Sequence, residues 1–211
     1  MIDRRPIPHV NYSDGRQGHK VRWVILHHMD GTVESADAAF HNAANPRGPV
    51  SAHFGVGADG RTYEWVGPGD TAYQAGAWDA NLESIGIEHE DFARDRDTSS
   101  PRYEFTDAQY AASAALVREM CAKYDIPVQS GSFPAISGVI RHGEVVATAC
   151  PGSLDINRIV EEAMAVSEDE FKQYQKDVAD TLNAMKAVYD PLVVRLAQVE
   201  SELSGIKAAI K

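Results

Sequence analysis

RWVILHH, residues 22–28, decides the fold: a short, β-branched apolar run that closes on two imidazoles, the form of a buried strand. SIGIEHED (84–91) repeats the form, apolar and then acidic, and SGVIRHG (137–143) is a third short strand. SAHFGVGADGRTYEWVG (51–67) reads as two strands joined at Asp59-Gly60, a hairpin turn signal. Helical patterns alternate with these strands. SADAAFHNAAN (35–45) is Ala-rich, with Ser35 as expected N-cap and a stop at Asn45-Pro46. Residues from Thr106 to Tyr124 carry apolar positions at helical spacing behind a Thr106 cap, with Asp107 in the first turn. SLDINRIVEEAMAV (153–166) closes the series, with Ser153 as expected cap. Residues 1–20, polar and punctuated by Pro and Gly, are expected to run extended. The mixture implies an α/β body with a central mixed sheet flanked by helices, spanning residues 1–167.

The segment 168–211 differs in kind. It lacks Gly except Gly205, and apolar residues recur at spacings of mostly three and four, including Val178, Met185, Val188, Leu192, Leu196 and Leu203. That is a heptad-like helical tail, with an expected stutter around Pro191. Asp190-Pro191 has the form of an N-cap followed by proline at the first helical position, so a second helix is expected to start there. A helical hairpin or helices paired in a homo-oligomer would bury the stripe, and docking on the body is the alternative.

Composition narrows the function. The net charge of −11 over 211 residues argues against a nucleic-acid partner, which requires a basic face. Two cysteines, Cys121 and Cys150, make no disulfide framework and read as buried thiol or metal ligand. The amino terminus, MIDRRPIPHV, has no apolar stretch after its basic residues. Neither a signal peptide nor membrane insertion is expected, and synthesis in the cytoplasm is.

Three features carry chemistry. RHGEVVATACPG (141–152) places His142 and Cys150 on either side of a small-residue loop, and imidazole nitrogen and thiolate sulfur are both good zinc ligands. Alone, such a pair is more often a structural histidine and a core thiol. The His27-His28 pair ends a buried strand, where clefts form, and strand alternation lets only one of the two face a given site. Glu88 ends the strand of SIGIEHED, with Glu90 on the same face, and beside a metal it would make a general base. Other motifs fail on context. GVGADG (55–60) is followed by a strand and not by the helix that a dinucleotide loop needs. His142-Gly143-Glu144 is no zincin helix, and DFARDRD (91–97) lacks the glycine and final glutamate of a calcium loop. His41 and His53 read as structural or rim residues.

Taken in order, VILHH, VSAHFGVGADGRTYEWV, SIGIEHE and RHGEVVATACPG resemble the type-2 N-acetylmuramoyl-L-alanine amidase family, over roughly residues 20–165. The resemblance implies a Zn2+ site made by His27, His142 and Cys150, with a fourth position open to water or substrate. It puts Glu88 where the wall-recycling branch has its catalytic glutamate, and Thr148 where the family has Lys or Thr. Ala52 stands where other branches have a catalytic tyrosine. The implied activity is hydrolysis of the amide between N-acetylmuramic acid and the L-alanine of the stem peptide. Zinc-bound water would attack, with Glu88 as base and Thr148 aiding the oxyanion. His28, Trp78 and Asn81, the latter two in the loop AWDANLES, are expected to contact substrate. The expected setting is that of a phage endolysin, made in the host cytoplasm and acting on the peptidoglycan of the host wall. A peptidoglycan-binding module without catalysis is the alternative, and such relatives typically lose the thiolate.

Overall fold

The computed structural model describes residues 2–46, 48–91, 105–165 and 168–209, so the acidic-basic stretch 92–97 lies outside the described residues. Its contacts fall into two units, Met1–Ala165 and Val166–Lys211. Among the described residues there are eight strands: β1 (Ile2–Arg4), β2 (Tyr12–Ser13), β3 (Trp23–His28), β4 (Phe54–Val56), β5 (Thr62–Glu64), β6 (Thr71–Ala72), β7 (Ser84–His89) and β8 (Gly138–Arg141). The helices of the first unit are α1 (Val33–His41), α2 (Trp78–Leu82), α3 (Asp107–Tyr124) and α4 (Ile156–Met164). Six strands form one sheet in the order β1-β5-β4-β7-β3-β8. The four from β4 to β8 run parallel, and β5 turns back against β4 at the Asp59-Gly60 hairpin. β2 and β6 make a small antiparallel pair of their own.

Period-two alternation sorts β3 and β7 between two cores. Val24, Leu26, Ile85 and Ile87 face one way, into a cluster with Val117 and Met120 of α3 and Ile159 and Val160 of α4. Trp23 and Ile25 face the other way, with Ile140, Ala75 and Ala80. The alternation carries on to the strand ends, so His27 belongs with Trp23 and Ile25, while His89 passes to the helical side. There His89 Nε2 meets Ser113 Oγ of α3 at 2.9 Å.

Local chemistry shifts several expected boundaries. α1 starts earlier, because the Thr32 side chain accepts from Ser35 N–H and is the cap. α4 starts later, because Asp155 Oδ1, not Ser153, accepts from Arg158 N–H. α3 has its Thr106 cap, completed by Gln109 as a reciprocal capping box. Residues 2–4, expected merely extended, pair with β5 at the sheet edge. AWDANLES is no loop, since Trp78–Leu82 is a short helix.

The second unit is one helix, α5 (Glu168–Ala209), 42 residues long with Pro191 inside it. The expected second start at Pro191 does not occur. Tyr189, passed over in favour of Val188, supplies the stripe position that keeps the three-four spacing unbroken across the proline. Among the described residues no helix is long and apolar enough to cross a membrane.

Candidate functional site

Strand register assembles the site. β3 and β7 pair with His27 opposite Glu88, and β3 pairs with β8 so that Arg141 lies opposite Leu26. The residue after Arg141 is therefore level with His27. Residues level with one another on adjacent parallel strands project to the same face, so Glu88, His27 and His142 come together at the carboxyl ends of the strands, where α/β sheets place ligands. The two rings are 4.4 Å apart between centroids. Cys150 arrives from a loop folded against the start of the 3-10 turn 142–144, through Gly143 N–H donating to Cys150 O at 2.9 Å. A Cβ on Gly143 would stand 2.8 Å from Thr148 O, so the loop needs glycine there to close. The result is a cluster in which the donor atoms of His27, His142 and Cys150 all lie within 4.8 Å of one another.

A layer of hydrogen bonds behind the cluster fixes which nitrogens face it. His27 Nε2–H donates to Gln74 Oε1. Gln74 Nε2 donates in turn to Ser84 Oγ at 2.7 Å, whose proton goes to Ala80 O. With Nε2 so used, His27 Nδ1 faces Cys150 Sγ at 3.7 Å. His142 bonds the Ala75 carbonyl and leaves its Nε2 buried without a partner. Two consecutive residues, Gln74 and Ala75, thus orient both imidazoles. Asn81 holds that pair in place, its Oδ1 accepting from the N–H groups of Gln74 at 3.1 Å and Ala75 at 2.7 Å. Behind α2, the buried guanidinium of Arg16 donates to the carbonyls of Asn81, Leu82 and Ser84. Gly86 keeps the space open, since a Cβ there would sit 2.7 Å from Gln74 Cγ.

The electrostatics are those of a pocket short of positive charge. Burial, with His142 close by, holds His27 well below the ordinary histidine value, and burial lowers His142 too. Both imidazoles are neutral, the ligating form. Burial pushes the Cys150 thiol up to about 12, with Glu88 and Asp91 adding to it. Glu88 is pushed up to about 8 by burial and by Asp91, and its Oε2 is buried with no hydrogen-bond partner. An orphaned nitrogen and an orphaned carboxylate oxygen beside a thiol are unfavourable in a dry pocket. A divalent cation would take the His142 nitrogen and the sulfur as ligands, deprotonating the thiol as it bound, and its charge would favour the ionised form of the carboxyl beside it. The donor set fits zinc: two imidazoles and one thiolate, three protein ligands, with a coordination position left over.

The other expected site residues are less uniform. His28 faces away from His27, and its Nδ1 meets Asp91 Oδ2 at 2.7 Å. Its backbone N–H donates to Cys150 Sγ at 3.4 Å, so it touches the cluster through the main chain. Trp78 is 44% exposed, with its ring 6.0 Å from that of Tyr73. Asn81, at 7% exposed, is a clamp under the Gln74-Ala75 segment instead of a wall of a cleft. Thr148 is exposed, and its Oγ1 accepts from Cys150 N–H at 3.2 Å. Ala52 is buried in the cluster of Tyr63 and Trp65. Glu90 is occupied with the N–H groups of Val33 and Ala58, and His53 accepts from Gly86 N–H. Gln74, Ala75, Asp91 and Arg16 went unread in the sequence. A lone glutamine in TAYQAG has no periodicity or partner nearby to mark it, whereas the acid of IEHED offered a signal two residues past the imidazole of β7.

A family profile described as N-acetylmuramoyl-L-alanine amidase matches residues 17–153. No functionally curated protein matches the chain. Among solved structures, a selenomethionine derivative of AmpD is 23% identical with a TM-score of 0.60, covering 77% of this chain and 94% of its own. The endolysin N-acetylmuramoyl-L-alanine amidase LysCS from Clostridium intestinale URNW is 18% identical with a TM-score of 0.59, at 77% and 94% coverage. The catalytic domain of XlyA is 21% identical with a TM-score of 0.55, covering 77% of this chain and 99% of its own. These likenesses show a shared fold, and the profile spans most of the unit that carries the cluster. The chain belongs to the N-acetylmuramoyl-L-alanine amidase family and is an amidase of peptidoglycan.

Proposed function

We propose that the enzyme is zinc-dependent, that His27, His142 and Cys150 hold the metal, and that Glu88 is its general base. The observation that carries this reading is the pairing of two buried atoms without partners, His142 Nε2 and Glu88 Oε2, beside a thiol and a neutral imidazole. When bound, zinc supplies Lewis acidity, activating water and polarising the scissile carbonyl between the lactyl group of N-acetylmuramic acid and L-alanine. The Glu88 carboxylate takes a proton from the attacking water and returns it to the leaving amine of L-alanine. Thr148, whose oxygen already accepts from Cys150 N–H, keeps its hydroxyl proton for donation to the tetrahedral oxygen. The exposed indole of Trp78 beside Tyr73 offers an apolar surface for the stem peptide, and His28 borders Cys150 through its backbone N–H as a further substrate contact. Likeness to proteins named endolysins supports a phage lysin acting on the host wall.

The test uses the Glu88→Gln variant. It is expected to hold zinc at the wild-type ratio while losing lysis of purified wall. Fragments from the wild-type digest are expected to carry a free L-alanine amino terminus by mass spectrometry. Undiminished lysis by the variant removes Glu88 from the mechanism. Fragments cut at a sugar linkage or inside the peptide overturn the bond assignment.

A further inference from the structure

The 42 residues of α5 leave a long apolar stripe in the open, and its pattern specifies what covers it. On a heptad frame, Leu182, Tyr189, Leu196 and Leu203 take the a positions, and Val178, Met185, Leu192 and Val199 take the d positions. Every core position from Val178 to Leu203 is apolar, and all of these side chains are exposed, from 39% at Val178 to 60% at Leu196. At 1.5 Å per residue the seam runs for about 38 Å. Pro191 falls at an outward-facing c position and does not enter the seam. A helix exposing this much apolar surface along one line has the form of one strand of a coiled coil.

We propose that α5 self-associates with further copies of this chain as a parallel, in-register bundle of more than two helices. Two observations point to a second copy and not to another kind of partner. In a parallel coiled coil the residue at g meets e of the next heptad on the neighbouring helix. Here that pairs Arg195 with Glu200, opposite charges, and Val188 with Val193, both apolar. In sequence the next such pair is Glu202 with Lys207. Each helix therefore complements itself. The stoichiometry follows from the core residues. Leucine holds three of the four a positions and valine two of the four d positions, and leucine at a with a β-branched residue at d disfavours the two-stranded form and favours larger bundles. Val188 and Val193, both 62% exposed, widen the stripe beyond a and d, as flanking positions do when more than two helices meet. The inference stands apart from the amidase reading, because it concerns mass and not catalysis.

The experiment is sedimentation equilibrium on the full chain over a hundredfold range of concentration. The expected mass is three or four times 23.0 kDa. Leu196→Glu, which puts a charge in the seam, is expected to return the mass to that of one chain, with the far-ultraviolet signal of the body kept. Ser201→Glu at an outward f position is expected to change nothing. Arg195→Glu and Glu200→Arg are each expected to weaken association at least tenfold, and the double swap to restore it. A single-chain mass at every concentration, as when α5 covers its stripe on its own body, overturns the proposal. So does a two-chain mass, and a double swap that fails to restore association overturns the parallel register.

Discussion

Replacing Gln74 with leucine removes one acceptor and one donor while nearly keeping the side-chain volume, which makes it a sharp probe of the layer behind the proposed metal site. In the wild type, Gln74 Oε1 takes the His27 Nε2 proton and Gln74 Nε2 reaches Ser84 Oγ. Leucine leaves the His27 N–H buried without an acceptor, a loss of about 1–3 kcal/mol. If half or more of that is relieved by the ring turning off its aim, the metal site bears it. The expected fall in zinc affinity is about 10–100-fold, the range for loss of a group that orients a ligating histidine. The assay is competition against a chromophoric chelator at neutral pH, alongside thermal melts of the metal-free proteins. Gln74→Glu restores the acceptor and is expected to recover affinity to within a few fold of wild type. A leucine variant that binds zinc within twofold of wild type refutes the reasoning, as does a glutamate variant no better than leucine. Gly86→Ala provides a second route to the same defect, because its Cβ would press on Gln74 Cγ at 2.7 Å.

Two further outcomes follow from the same network. In metal-stripped protein, Glu88 stays protonated when folded up to about pH 8, while in the unfolded chain it ionises near 4.5. It therefore favours folding fully below pH 4.5, and that contribution is lost as pH rises towards 8. At about 1.4 kcal/mol per pH unit, the deficit is about 3 kcal/mol at pH 7. Glu88→Gln is expected to be more stable than wild type by that amount in denaturant unfolding at pH 7 and no different at pH 4. An equal difference at both pH values contradicts the burial of the carboxyl. Arg16→Met strips the donor from the carbonyls of Asn81, Leu82 and Ser84 and is expected to lower stability by about 3 kcal/mol or more, read from the urea midpoint.

The sheet was legible because burial writes itself into short apolar runs. RWVILHH and SIGIEHED become adjacent strands in register, and that register sets the imidazole and the carboxylate side by side. The convergence of His27, His142 and Cys150 was legible through the resemblance and not through spacing, since His142 and Cys150 alone do not tell a ligand pair from a core pair. What stayed hidden is contact between segments that carry no pattern. Asn81 looked like a cleft residue because it sits near Trp78 in sequence, yet α2 turns its amide inward on the main chain of Gln74 and Ala75. Helix starts at Thr32 and Asp155 lay within a few residues of the expected caps, where several side chains compete for the same orphan N–H groups. Pro191 misled for a different reason. Its fixed φ suits the first turn of a helix, but a long helix whose stripe continues beyond it tolerates one missing N–H.

The strand-borne and loop-borne members of the cluster do not share the same fate under change. The backbone of His27 and Glu88 is placed by main-chain pairing between β3 and β7, and His142 follows directly on a third paired strand. Cys150 depends on a closed turn held by Gly143 and the Thr148 hydroxyl. Redesign of this scaffold therefore has a natural dividing line. On the proposed reading, exchanges at Trp78 that spare Asn81 and the Gln74-Ala75 step it holds alter which wall polymer is gripped, whereas a single insertion in the turn before Cys150 leaves a protein that grips without cutting.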